Sequence, residues 1–411
     1  MRALKSRLII MNFLQFAVWG SYLTSMGGYL FSEGYGDLVG WFYAMQGVVS
    51  IFMPAIMGII ADKWIPAQRL LGICHGLAAI FIAGAGYFAQ SDLITPMFIL
   101  YSLSVAFYMP TLALSNSVAY TSLEQGGYDT VKAFPPIRVF GTVGFIVAML
   151  ICDFAGFQAN YMQFSQCASI GICLALYTMV LPHCPVSNTQ GDKSLMQRLG
   201  LDAFKLFKSK QMALFFIFSM LLGAALQVSN GYANTFINGF GAIEEYAGTF
   251  AVEHTNMLIS LSQLSETLCI LLIPFFLKKF GIKKVMLIAM LGWVFRFGFF
   301  AVGDPGMPGV LFFVLSMIVY GVAFDFFNIS GSLFVDNEVP EAQRSSAQGL
   351  FMLMTNGLGA SAGVIAAQEV VNYFTADQTN FAGWQTAWYV FAGYALVIAL
   401  LFAVVFKEKK A

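Results

Sequence analysis

The sequence predicts an all-α membrane protein with twelve transmembrane helices arranged as two halves of six. The composition, the length of the apolar runs and the placement of the basic residues all predict it. Of the 411 residues, 59% are hydrophobic and only 10% are charged, whereas soluble domains carry about 25% charged residues. Because a soluble fold of this size would leave much apolar surface in water, we expect lipid to be its solvent.

Each apolar run is long enough to cross a bilayer, which takes about 20 residues of helix. The twelve predicted spans are 8–31, 38–61, 69–90, 94–121, 137–157, 163–182, 211–236, 256–277, 284–303, 308–333, 346–373 and 384–406. The first run follows a basic N-terminus, as in a signal peptide, but it is too long and lacks a clear small-residue cleavage site. We therefore expect it to be kept as a helix.

Basic residues lie in every second gap between these spans. All of the 21 Lys and Arg residues except Arg138 and Arg296 fall at the termini or in alternate gaps. The positive-inside rule then places both termini in the cytoplasm. The longest polar segment divides the chain into an N-terminal half (1–182), a cytoplasmic linker (183–210) and a C-terminal half (211–411). We expect the basic linker to lie along the inner leaflet, with protein binding as the alternative.

Four ionisable side chains lie well inside predicted spans: Arg138, Glu266, Arg296 and Asp325. Each would cost about 2.5 to 3.5 kcal/mol at a lipid-facing midplane, so they are expected to face the protein interior or a water-filled cavity. Two buried salt bridges that only fix helix register are the alternative to a functional role. That alternative suits Arg296, which has no polar neighbour in its own span.

Polar and aromatic residues share helix faces with the other three charges. The stripes are Arg138, Thr142 and Phe145 in span five; Gln227 and Asn230 in span seven; Gln263 and Glu266 in span eight; and Tyr320 and Phe324, beside Asp325, in span ten. Residues three or four apart lie on one side of a helix. Aromatic faces stack on a ring, while amides and charges bind its edges and hydroxyls.

These stripes predict a central site for a neutral, polar, ring-bearing solute. Interhelical hydrogen bonding that only holds the bundle together is the alternative, and four stripes weigh against it. In span one, Gln15, Trp19 and Tyr22 share another face. There Trp19 is expected to pack, and the role of Gln15 stays open.

Several classes of function are disfavoured by the sequence. The six Cys and three His residues are scattered, so neither a metal site nor a cofactor is predicted. Zero net charge argues against nucleic acid, and ATP-driven transport would need a separate subunit because no GxxxxGK[ST] motif occurs. An enzyme would need a nucleophile–base pair or metal cluster, and a receptor would need a signalling domain. A secondary transporter remains, and Glu266 and Asp325, the only acids deep in the spans, are its candidates for proton coupling.

The turn after span two carries a loop motif. Gly58, Asp62 and Lys63 resemble the Gly-x-x-x-Asp-Arg/Lys motif of the major facilitator superfamily, although Trp64–Gln68 depart from its continuation. Two six-helix halves are the architecture of that superfamily. The motif and the division of the chain together favour this fold.

Longer strings resemble one family within that superfamily. They are FPPIRVFGTVGF (134–145), FFIFSMLLGAALQVSN (215–230), SQLSETL (262–268) and LSMIVYGVAFDFFNISGS (315–332). These strings look like those of the nucleoside:proton symporters, and the similarity extends over nearly the whole chain.

This resemblance implies a monomeric importer of nucleosides, such as uridine and adenosine, driven by protons across a bacterial inner membrane by alternating access. A xanthosine-selective or a sugar:proton symporter of the same fold is the alternative. The residues that it implies for the nucleoside site are Arg138, Thr142, Phe145, Gln227, Asn230, Gln263, Glu266, Tyr320 and Phe324, with Glu266 and Asp325 as the proton-coupling acids. Arg296 is left over as structural.

Overall fold

The part of the chain that the computed structural model describes, residues 2–186, 201–375 and 381–406, contains helices and no strand. The chain forms two compact units. One consists of Met1–Tyr29 and Val48–Leu199, and the other of Leu30–Gly47 and Gly200–Ala411. We call them the first and second unit.

Seven α-helices precede the linker. They are α1 (Arg2–Gly20), α2 (Met26–Ser32), α3 (Val39–Lys63), α4 (Ala67–Gln90), α5 (Ile94–Gln125), α6 (Thr130–Phe154) and α7 (Met162–Tyr177). The C-terminal end of α2 and the N-terminal part of α3 belong to the second unit.

Eight α-helices follow the linker. They are α8 (Lys210–Gly239), α9 (Phe250–Glu253), α10 (Thr255–Phe280), α11 (Ile282–Val302), α12 (Val310–Glu338), α13 (Glu341–Met352), α14 (Ala360–Phe374) and α15 (Phe381–Val405). A 3₁₀-helix, Leu201–Lys208, leads into α8. The segment Leu353–Gly359, which joins α13 to α14, is π-helical.

Eleven helical segments within the described residues are long and apolar enough to cross a membrane, and they correspond to predicted spans two to twelve. Predicted span 8–31 is instead divided between α1 and α2. At the break the Ser21 hydroxyl donates to Ala17 O at 2.9 Å, and the Tyr22 N–H bonds Trp19 O, three residues back. The regular i→i−4 ladder is interrupted at Tyr22, so one apolar run yields two helices.

Part of the predicted linker, together with its cations Lys193 and Arg198, lies outside the described residues. The same holds for the C-terminal lysines Lys407, Lys409 and Lys410. The boundaries of the two halves and the orientation of the termini therefore stay predictions.

Close contact between α1 and α6 organises the first unit. A Cβ added at Gly144 would lie 2.1 Å from the backbone oxygen of Phe13, so only glycine fits there. Small residues of this kind let membrane helices approach until their backbones touch. The stripe of Arg138, Thr142 and Phe145, which lies on α6, is thereby held against α1.

An aromatic cluster fills the core of the second unit. The Trp388 ring packs on Phe300 with centroids 4.7 Å apart, and on Phe236 at 5.5 Å. Phe297 stacks on the same indole at 5.7 Å. Aromatic pairs at these separations add about 0.5 to 1.5 kcal/mol each beyond the area that they bury. The cluster joins α8, α11 and α15, which support the helices of the site.

Candidate functional site

The α6 stripe lies in the first unit, beside α1. The Arg138 guanidinium lies over the Phe16 ring, 3.8 Å from its centroid. Phe145, two turns further along α6, is buried, and its ring meets Trp19 edge to face at 6.4 Å. Thr142 lies between them and is partly buried. The predicted face thus exists, with aromatic rings of α1 next to it.

The amide pair of α8 lies in the second unit. The Asn230 side-chain NH₂ donates to Gln227 Oε1 at 3.2 Å. Gln227 in turn donates to the backbone oxygen of Tyr43 at 3.2 Å, and Tyr43 belongs to the part of α3 in the same unit. The i, i+3 spacing that predicted a shared face is realised as a direct hydrogen bond, which fixes the orientation of both amides.

Helices α10 and α12 touch at their backbones. A Cβ added at Gly321 would lie 2.6 Å from the backbone of Ser265, and the Ser265 hydroxyl donates to Ile318 O. Gln263 and Glu266 flank this contact on α10 and are partly buried. The close approach brings the polar residues of α10 next to those of α12.

The α12 stripe contains two stacked rings. Tyr320 and Phe324 lie nearly parallel, with centroids 5.9 Å apart and an angle of 18°. Trp293 of α11 meets Tyr320 edge to face at 6.0 Å. Tyr320 is buried, whereas Phe324 is partly exposed. Phe324 therefore exposes an aromatic surface, and the buried Tyr320 ring stacks on its other face.

Glu266 and Asp325 are close enough for their negative charges to repel each other. Asp325 is 4% exposed. Its Oδ2 atom accepts no hydrogen bond from the described residues. A buried ionised carboxylate without a partner is costly, and a second carboxylate nearby adds repulsion. Binding a proton relieves both costs.

Arg296 of α11 lies among these helices. Its Nε donates to Ser229 Oγ of α8 at 2.8 Å, and its Nη1 donates to the backbone oxygen of Ser316 of α12 at 2.8 Å. Nη1 also reaches Ser262 Oγ of α10 at 3.4 Å, and the guanidinium lies 4.5 Å from the Tyr320 ring centroid. Its partners in the described structure are hydroxyls, a carbonyl, the Met317 thioether and rings, so the buried salt bridge considered for it is wrong.

The sequence analysis left Arg296 as structural and did not predict these partners. The signal was present, because Ser229 and Ser262 immediately precede Asn230 and Gln263 of the predicted stripes. Serine hydroxyls beside a polar stripe can receive a guanidinium from a neighbouring helix. One cation thereby connects the three stripe-bearing helices of the second unit.

A cavity opens beside the α12 stripe. Its lining residues include Leu222, Leu226, Trp293, Phe324, Asn328 and Asn356. Among the predicted site residues it reaches only Phe324. Asn328 and Asn356 are polar groups that the sequence analysis did not select, and they lie on α12 and on the π-helical segment.

Apolar membrane-spanning helices that carry buried amides, paired acids and stacked rings define a multi-pass membrane transporter with the major facilitator superfamily fold. The chain belongs to the nucleoside H⁺ symporter family, whose sequence model matches residues 2–411.

Two curated relatives from Escherichia coli (strain K12) are similar over nearly their whole length. Nucleoside permease NupG is 48% identical over 410 residues, covering 99% of this chain and 96% of the relative. Xanthosine permease is also 48% identical, over 403 residues, covering 98% and 95%. A crystal structure of the nucleoside transporter NupG superposes with a TM-score of 0.91 at 48% identity, covering 99% of this chain and 100% of that one. The family and fold predicted from the sequence are confirmed.

Proposed function

We propose that this protein imports nucleosides together with protons by alternating access. The observation that carries the proposal is the cluster of amides, two acids and stacked rings on α8, α10 and α12, the helices that Arg296 connects. Nucleosides combine an aromatic base with a polar ribose, so such a cluster matches both parts. The names of the two relatives, a nucleoside permease and a xanthosine permease, support the same class of solute.

The amides and Glu266 suit the polar edges of the solute. Gln227, Asn230 and Gln263 provide donors and acceptors, and Glu266 accepts from ribose hydroxyls. Phe324 stacks on the base, with Tyr320 behind it. In the first unit, Arg138, Thr142 and Phe145 supply a cation, a hydroxyl and a ring, which also suit a nucleoside.

Asp325 and Glu266 are the proposed proton carriers. Asp325 is buried without a described hydrogen-bond donor at Oδ2, and Glu266 lies within its electrostatic reach. Each proton bound here removes the repulsion between the two carboxylates. Uptake is then coupled to the proton gradient because the proton neutralises the site to which the uncharged solute binds.

Uptake of radiolabelled uridine into proteoliposomes tests the proposal. We expect an inward proton gradient to stimulate uptake, and a protonophore to abolish the stimulation. Unlabelled adenosine should compete, whereas glucose should not. Uptake that does not depend on the gradient would contradict the coupling role of the acids. The absence of nucleoside uptake would refute the proposed function.

Xanthosine selectivity is the second candidate, because xanthosine permease is as similar to this chain as NupG is. The competition assay separates the two. Inhibition of labelled xanthosine uptake by xanthosine alone supports the selective carrier, and equal inhibition by uridine supports the broad one.

We further propose that the protein is a monomer in the bacterial inner membrane, with both termini cytoplasmic. The placement of basic residues in alternate gaps supports this orientation. A C-terminal fusion to alkaline phosphatase should be inactive and a fusion to green fluorescent protein fluorescent. Light scattering of the purified protein in detergent should give the mass of one chain.

A further inference from the structure

Four side chains of the first unit form a buried hydrogen-bonded network across α1, α4 and α5. His75 Nε2 lies 2.7 Å from Gln15 Oε1, and Gln15 Nε2 donates to Thr111 Oγ1 at 2.7 Å. Thr111 Oγ1 donates to the backbone oxygen of Tyr108, and the Tyr108 hydroxyl donates to the backbone oxygen of Gln15 at 2.9 Å. Gln15, His75 and Thr111 are each 0% exposed.

The hydrogen bond from the Thr111 hydroxyl to the Tyr108 carbonyl sets the directions of the other bonds. The only hydrogen of the Thr111 hydroxyl goes to a carbonyl, so Thr111 Oγ1 must accept from Gln15. The Gln15 amide nitrogen therefore faces Thr111, and its oxygen faces His75. An amide oxygen only accepts, so His75 Nε2 carries a hydrogen and donates it. Neither the amide nor the imidazole can be reversed without breaking the chain of bonds.

The other ring nitrogen of His75, Nδ1, does not restrict the choice of a replacement side chain. Nδ1 is buried and has no hydrogen-bond partner among the described residues. A replacement side chain therefore needs to supply only a donor at the position of Nε2. The terminal amide nitrogen of glutamine reaches that position, whereas that of asparagine falls one bond short and corresponds to Nδ1.

The network holds the part of α1 that faces the α6 stripe. Trp19, one turn after Gln15, packs on Tyr108 at 5.9 Å and on Phe145 at 6.4 Å. A Cβ added at Gly20 would lie 2.3 Å from the backbone oxygen of Phe145. A shift or rotation of α1 would therefore displace the Trp19–Phe145 pair.

We propose that His75 is a positioning residue for solute recognition. Its Nε2 donor orients Gln15, Gln15 fixes the register of α1, and α1 aligns Trp19 with Phe145. This inference rests on the proposed nucleoside transport, in which Phe145 contacts the solute. His75 itself lies beneath that surface and acts through Gln15.

The test compares His75→Gln, His75→Asn and His75→Leu in the uridine uptake assay. We expect the Asn and Leu variants to raise KM by about tenfold, because Gln15 Oε1 loses its donor, while Vmax changes little. His75→Gln should keep KM within about twofold of the wild-type value. A role in filling space alone would not separate Gln from Asn.

Thr111→Val provides a second, nearly isosteric break in the network, should a His75 variant fail to fold. We expect its KM to rise, with less than additive effects in a double variant with His75→Leu. Unchanged KM in His75→Asn and Thr111→Val, or a Gln variant as impaired as the Asn variant, would overturn the inference. If the wild-type protein takes up no nucleoside, the proposed function fails first, and this inference fails with it.

Discussion

Replacing Arg296 by lysine isolates the contribution of its forked guanidinium. The charge is kept, but one ammonium cannot take the place of both Nε on Ser229 and Nη1 on Ser316 O, each bonded at 2.8 Å. The loss of one charge-assisted hydrogen bond costs about 1.5 to 3 kcal/mol. Because about 1.4 kcal/mol is a factor of ten, we expect KM for uridine to rise by roughly ten- to a hundredfold if that energy positions Tyr320.

The assay is initial-rate uptake in proteoliposomes at matched protein content. Arg344→Lys is the control, because Arg344 is exposed and its Nε donates to the backbone oxygen of Asp336. It should leave KM unchanged. A KM for Arg296→Lys within about twofold of wild type would refute the reasoning. So would an Arg296→Met variant with normal uptake, because it would show that the buried charge is dispensable.

Three further predictions concern the acids, the helix contacts and the stacked rings. Glu266→Gln should abolish gradient-driven uptake measured in the same vesicles, while Glu124→Gln, at an exposed end of α5, should have no effect. Gly144→Ala should lower the thermal unfolding temperature in detergent because its Cβ would lie 2.1 Å from a backbone oxygen of α1. Gly393→Ala, which meets nothing within 4 Å, should be neutral or stabilising by up to about 1 kcal/mol. Phe324→Leu should raise KM for uridine about two- to tenfold, because stacking contributes about 0.5 to 1.5 kcal/mol, and unchanged KM would exclude Phe324 as the stacking surface.

Helical periodicity is why the stripes could be predicted from the sequence. Spacing of three or four residues is a local property, so the Gln227–Asn230 hydrogen bond and the Tyr320–Phe324 stack follow from positions along one helix. The fold class followed from composition and the length of the apolar runs. Neither prediction depends on which helices are neighbours in the fold.

Interhelical contacts are why the remainder could not be predicted. Arg296 has its partners on three other helices, and its own span shows only apolar neighbours. The break within 8–31 lies where the backbone bonding changes at Tyr22, and an apolar run does not reveal this. The assignment of the site residues to nucleoside and proton remains a prediction that the uptake assays test.

The π-helical segment Leu353–Gly359 sets the rotational phase of α14. Each residue of a regular α-helix advances by about 100°, and a π turn absorbs one additional residue without that advance. On α14, Gln368 Oε1 accepts from the Gly40 N–H at 2.6 Å and from the Tyr232 hydroxyl at 3.0 Å. If the segment rewound into a regular α-helix, α14 would turn by about 100° and Gln368 would leave both partners. The π-helical segment therefore fixes the angular setting of α14 at which Gln368 meets both of its partners.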